Sequence, residues 1–167
     1  MKQILLTLSL FLSLSINAQI QRSFLGLTLG ESTKLEVKRT LISKGMSVEE
    51  YNGNITTNDL TFGGEKWSHA VFQFYKGKLY SIVFGMSVSS SNKLSVKKDI
   101  LRVISILKKK YPKFLMIDEE EHVILYDLKT MASVSYTNVS EGVGVYGLTY
   151  SDYATLSNIV QSTEDEF

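Results

Sequence analysis

The residues able to do proton or metal chemistry at neutral pH are few: two histidines, His69 and His122, and no cysteine in 167 residues. His69 lies in Trp67-Ser68-His69-Ala70, and His122 follows the acidic run Asp118-Glu119-Glu120-Glu121. Neither has a second ligand at the i+2 or i+4 spacing that places two donors on one face of a strand or helix, so no metal site is expected. A hydrolase using His69 or His122 as general base stands as an alternative, because triad partners need not be close in sequence. No Gly-x-Ser-x-Gly elbow accompanies them, and Ser68 beside His69 points to the opposite sheet face. The acidic run lacks the spaced ligands of a calcium loop, and Gly63-Gly64 and Gly142-x-Gly144 open no helix, so these read as turns or bulges. No cofactor is expected.

The elements around these residues follow from periodicity. Thr33 with Glu36 forms a capping box, Val37, Leu41 and Ile42 share one helical face, and Gly45 stops the helix. Period-two patterns then place strands near 46–51, 58–63, 68–75 and 78–86, with Asn52-Gly53-Asn54 and Lys76-Gly77 as turns. A second helix, capped by Ser91 or Asn92, carries Val96, Ile100, Val103, Leu107 and Tyr111 at helical spacing until Pro112 closes it. Its apolar stripe is broad enough to pack against a sheet. Strands near 113–118, 121–127, 130–137 and 143–150 follow, then a short helix around Tyr153 to Val160 and an acidic tail from Glu164 to Glu166. The expected fold is α+β: one antiparallel sheet with the helices on one face.

The hairpin from Trp67 to Met86 is the candidate binding element. With Lys76-Gly77 as a two-residue turn, Phe74 pairs with Leu79, Phe72 with Ser81 and Ala70 with Val83. That register puts Trp67, His69, Tyr75, Tyr80 and Phe84 on the side away from the helices, where aromatic rings with polar handles suit recognition. The alternative is that Trp67, Ile82 and Phe84 are buried by another element, as happens in strands apolar on both sides.

Composition and the N-terminus set the class. Apolar residues make up 44% and charged residues 21%, the profile of a globular domain. Lys2 and the apolar run Ile4 to Ile16, ending in Asn17-Ala18-Gln19, have the pattern of a signal peptide spanning residues 1–18, with a single domain over 19–167. The run is shorter than the ~20 residues a membrane span needs, and with no cysteine there is neither a disulfide nor a lipidated anchor. The expected location is periplasmic or secreted, in a bacterium. Without Lys2 the 18 basic residues become 17 against 17 acidic, and this balance argues against a nucleic-acid partner. The lysine run Lys108 to Lys110 suits the negative end of a helix.

The two halves echo each other. Lys34-Leu35-Glu36-Val37-Lys38-Arg39 and Lys93-Leu94-Ser95-Val96-Lys97-Lys98 open helices, and about four strands follow each, which marks possible repeats over 24–88 and 89–160. In these helix openings, the Gly45 stop and the hairpin Phe72 to Phe84, the chain resembles exported proteins of the β-lactamase-inhibitor-protein-like architecture. It also resembles the reduced form of that architecture in outer-membrane-assembly lipoproteins of the SmpA/OmlA type. It departs from both in having no cysteine. The resemblance implies a sheet-and-helix fold in a small exported bacterial protein. The functions expected are a non-enzymatic module that binds a protein or envelope component through an open sheet face, or an envelope-assembly or structural protein.

Overall fold

A computed structural model of the chain describes residues 19–89, 91–119, 122–140 and 143–164. The apolar run 4–16, its cleavage site, Glu120, Glu121 and the tail beyond Glu164 lie outside these residues. Among the described residues no helix is long and apolar enough to cross a membrane.

The elements run β1 (Ser23–Phe24), β2 (Leu27–Thr28), α1 (Lys34–Ser43), β3 (Glu49–Tyr51), β4 (Asn54–Phe62), β5 (Glu65–Tyr75) and β6 (Lys78–Val88). After them come α2 (Lys93–Lys110), a 3-10 turn (Pro112–Phe114), β7 (Leu115–Asp118), β8 (Val123–Tyr126), β9 (Thr130–Ser140), β10 (Val143–Asp152) and α3 (Tyr153–Glu164). The expected α+β class is what the chain adopts: β3 to β10 form one antiparallel sheet in the order β3-β4-β5-β6-β10-β9-β8-β7. Each of the two longer sections is a helix followed by four strands, and the last strand of each section, β6 and β10, meets the other at the sheet centre.

Local chemistry fixes the ends of these elements. The Thr33 hydroxyl accepts from the Glu36 amide at 3.3 Å, and the Glu36 carboxylate accepts from the Thr33 amide at 2.7 Å, closing the capping box of α1. Asn92 holds the cap position of α2 but does not cap it; its side chain accepts from the Ser89 amide at 2.7 Å and donates to the Ser87 carbonyl at 3.1 Å. The Lys76-Gly77 turn has φ of 47° and 77°, the left-handed pair whose twist matches that of the flanking strands.

Side chains alternate across the sheet, and three irregularities decide which side each strand buries. At Tyr80 the β5–β6 register slips by one residue: Phe74 pairs with Leu79 as the alternation predicts, but Phe72 then pairs with Ile82 and Ala70 with Phe84. Leu79, Ile82 and Phe84 therefore share a side, since a bulge inserts one unpaired residue. Asp59 has a left-handed φ of 52°, and around it burial in β4 passes from Ile55 and Thr57 to Leu60. In β5, opposite, it passes from Phe72 and Ala70 to Trp67, and beside it the Ser68 hydroxyl accepts from the Ser87 amide at 3.1 Å.

The result is one continuous core on one side of the sheet. Val37 and Leu41 of α1, and Ile100, Val103, Ile104 and Leu107 of α2, cover it. At its centre the Phe24 ring lies 4.6 Å from Tyr150 and 5.4 Å from Phe62, while Phe62 stacks on Phe84 at 4.5 Å. The N-terminal strap is pinned to the second section: the Ile20 amide donates to the Asp127 carboxylate at 2.8 Å, and Arg22 meets Asp152 at 2.6 Å. α1 and α2 share one side. The C-terminal α3 begins at the reverse, its Tyr153 ring 4.4 Å from Tyr126.

Candidate binding face

The reverse side of the sheet, opposite the core, is built from the residues that alternate with the buried ones. One row crosses all eight strands in register: Glu49, Thr56, Val71, Val83, Thr149, Ser133, Ile124 and Ile117. The next runs Asn58, His69, Gly85, Gly147 and Ser135. Apart from Gly85 none of these is buried, and α1 and α2 pack on the other side of the sheet. Small side chains leave the centre flat, and between the two edge strands the rows hold no carboxylate, lysine or arginine. A third row closes one end of the face: Ser81 and Ser151 are buried there, the Ser151 hydroxyl donates to Ser81 at 3.1 Å, and Tyr126 lies beside them under Tyr153.

Of the five candidate binding residues, two do not reach this face. Trp67 is 2% exposed and Phe84 is fully buried; they pack together with ring centroids 5.6 Å apart, and the Trp67 indole donates to the Phe62 carbonyl at 3.0 Å. The register slip at Tyr80 turns Phe84 inward, and the irregularity at Ser68 turns Trp67 inward. The expected pairs of Phe72 with Ser81 and Ala70 with Val83 are displaced by one residue for the same reason. Tyr80 itself is partly exposed at the bulge. Tyr75 is partly exposed at the hairpin end, with the Lys76 ammonium 5.2 Å from its ring centre.

His69 does lie on the open side, its imidazole across Gly85, where a β-carbon would overlap the ring. Burial lowers its pKa and favours the neutral ring. Among the described residues it has no hydrogen bond to a hydroxyl or carboxylate, which a general base needs. His122 stands on the β7–β8 turn, 3.8 Å from the Glu119 carboxylate. The two histidines are not brought together, and among the described residues no three His, Asp or Glu side chains gather as a metal site.

The residues that form the face, Val71, Val83, Thr149, Ser133 and Gly147, carry no aromatic ring or charge that would mark them in the sequence. A signal was present: Ser133, Ser135, Gly147 and Thr149 alternate with Ala132, Val134, Tyr146, Leu148 and Tyr150, as in strands covered on one side. Between α2 and the β4–β5 hairpin a pocket of about 90 Å³ is lined by Phe62, Trp67, Leu107 and Tyr150. Ligand pockets are usually at least ~300 Å³. Beside it the Glu65 carboxylate accepts from Arg102 at 2.5 Å.

No protein-family model matches this chain, and neither a curated protein nor a solved structure does.

Proposed function

We propose that this is an exported, non-enzymatic binding module that holds a protein partner on the uncovered side of its sheet. The observation that carries the reading is the row from Thr56 to Ile124: six adjacent strands carry small or apolar, uncharged and partly exposed side chains on the side away from α1 and α2. Val71, Val83 and Ile124 within it are apolar and partly exposed, and apolar side chains grouped on a surface mark interaction sites. The row also has few flexible side chains to immobilise, which lowers the entropic cost of association. The leader pattern at residues 1–18 supports export. The succession of two helix-plus-four-strand sections meeting at β6 and β10 is the order that a tandem origin would leave.

Site-specific photo-crosslinking in the exporting cell tests the reading. A photoreactive residue at Val83 or Thr149 is expected to yield a discrete protein adduct, and one at Glu31 on the opposite side is not. Adducts from Glu31 with none from Val83 or Thr149 would refute it. The hydrolase alternative would need His69 hydrogen-bonded to a hydroxyl or carboxylate, and no such bond is among the described residues.

A further inference from the structure

The near-zero net charge hides a strong segregation. α1 carries Lys34, Lys38 and Arg39 against Glu36, with Lys44 just beyond its end. α2 carries Lys93, Lys97, Lys98 and Arg102 along its length and Lys108 to Lys110 at its end, against Asp99 alone. Both helices cover the same side of the sheet, so these cations all lie on that side. The neighbouring carboxylates neutralise only some of them: Glu50 takes Lys34 at 2.7 Å and Lys38 at 2.9 Å, bonds that hold its pKa down to about 2. Glu65 and Asp99 share Arg102, and Asp118 pairs with Lys108. Arg39, Lys93, Lys98 and Lys109, and the exposed Lys113 of the 3-10 turn that follows α2, have no ion pair among the described residues.

The same side exposes large apolar side chains between the cations. On α1, Leu35 and Ile42 are each 55% exposed, with exposed Arg39 between them at i+4 and i+7 spacing. On α2, Leu94 is 85% and Ile106 49% exposed, in line with Lys98 and Arg102. Leu35 and Leu94 hold the same place in the two helices, second residue after a lysine, and the core uses neither. A nucleic-acid backbone has use for the cations but none for the leucines. Cations that meet phosphate headgroups while leucines enter the acyl boundary are the chemistry of an interfacial helix.

We infer that the outer surface of α1 and α2 docks on an anionic phospholipid bilayer, which leaves the open side of the sheet facing away from the membrane. Residues 19–167, which contain the whole core described above, are tested by sedimentation with phosphatidylcholine vesicles made with and without phosphatidylglycerol. Binding is expected only to the anionic vesicles and is expected to fall steeply between about 0.1 M and 1 M salt. Each lysine near such a surface is worth about fivefold in partitioning, so K98E/K109E/K113E should lose on the order of a hundredfold or more. L35S/L94S should weaken vesicle binding while leaving binding to heparin, a soluble polyanion, unchanged. All five sites are exposed, and unchanged thermal unfolding midpoints will confirm that both variants fold. Equal binding to both vesicle types, undiminished binding of the folded lysine variant, or heparin binding without vesicle binding would overturn the inference.

Discussion

His69 and Gly85 occupy a single position of the open sheet between them: they are direct cross-strand partners, and the imidazole fills the volume that a side chain at residue 85 would need. Gly85→Ala must therefore push the ring outward. Because the overlap is with the far end of a movable side chain, the expected cost is modest, about 1 kcal/mol, and His69→Ala in the same chain should recover most of it. The displaced ring loses the burial that lowers its pKa, so NMR titration should find His69 closer to 6.5 in the variant than in the parent. An unchanged titration would show that the two residues are not coupled.

The same histidine sets a pH trend. Its folded pKa lies below the unfolded value of 6.5, so the unfolded chain binds the proton more tightly. Its contribution is complete above that value and declines as pH falls through 6.5 toward the folded pKa. Urea unfolding between pH 8 and pH 5 should show this decline, and His69→Gln should remove the part due to this ring.

Adjacent residues of β6 should respond very differently to truncation. Phe84 is fully buried among Phe24, Phe62 and Trp67, so Phe84→Ala should cost about 3–5 kcal/mol in urea unfolding. Val83 faces the other way and is partly exposed, so Val83→Ala should cost about 0.5 kcal/mol. Comparable losses at both sites would mean that the reverse of the sheet is covered.

Asp152 ties the end of β10 to the N-terminal strap. Burial alone would raise its pKa, but hydrogen bonds from the Thr155 hydroxyl at 2.7 Å, Arg22 at 2.6 Å and the Thr155 amide at 3.0 Å outweigh it and hold the pKa below 3.8. Asp152→Asn should cost about 2 kcal/mol at neutral pH. A depressed carboxyl pKa stabilises the fold above the unfolded value and loses that effect as pH falls below 3.8, so the two proteins should converge in acid. A constant difference down to pH 2 would contradict the assignment.

What could be read beforehand was whatever local chemistry determines. Thr33 and Glu36 announce a helix start because each side chain satisfies a backbone donor in its own turn, and Lys76-Gly77 announces a hairpin because its left-handed pair needs no outside help. The extra residue at Tyr80 leaves no comparable mark: Tyr80-Ser81-Ile82 reads as regular alternation, yet one unpaired residue carries Ile82 and Phe84 from the open side into the core. Asp59 is similar, since aspartate tolerates a left-handed φ without demanding it. The expected face departs from the observed one at Phe84 of β6 and Trp67 of β5, which these irregularities turn inward, while β9 and β10 show their alternation openly. The cationic surface was invisible for another reason, because it exists only once α1 and α2 are placed on the same side.

The chain's lack of cysteine permits a direct test of the central claim, that one side of the sheet is packed and the other is open for a partner. Single cysteines at Val83, Thr149 and Ser133, and at Phe84 and Leu148 as buried counterparts, are labelled with a maleimide in the purified protein and in intact exporting cells. The first three should react readily when purified and be protected in cells, while the last two react only after unfolding. Equal labelling of Val83, Thr149 and Ser133 in both settings would contradict the claim of an occupied face, and their failure to react in the purified protein would contradict the open face itself.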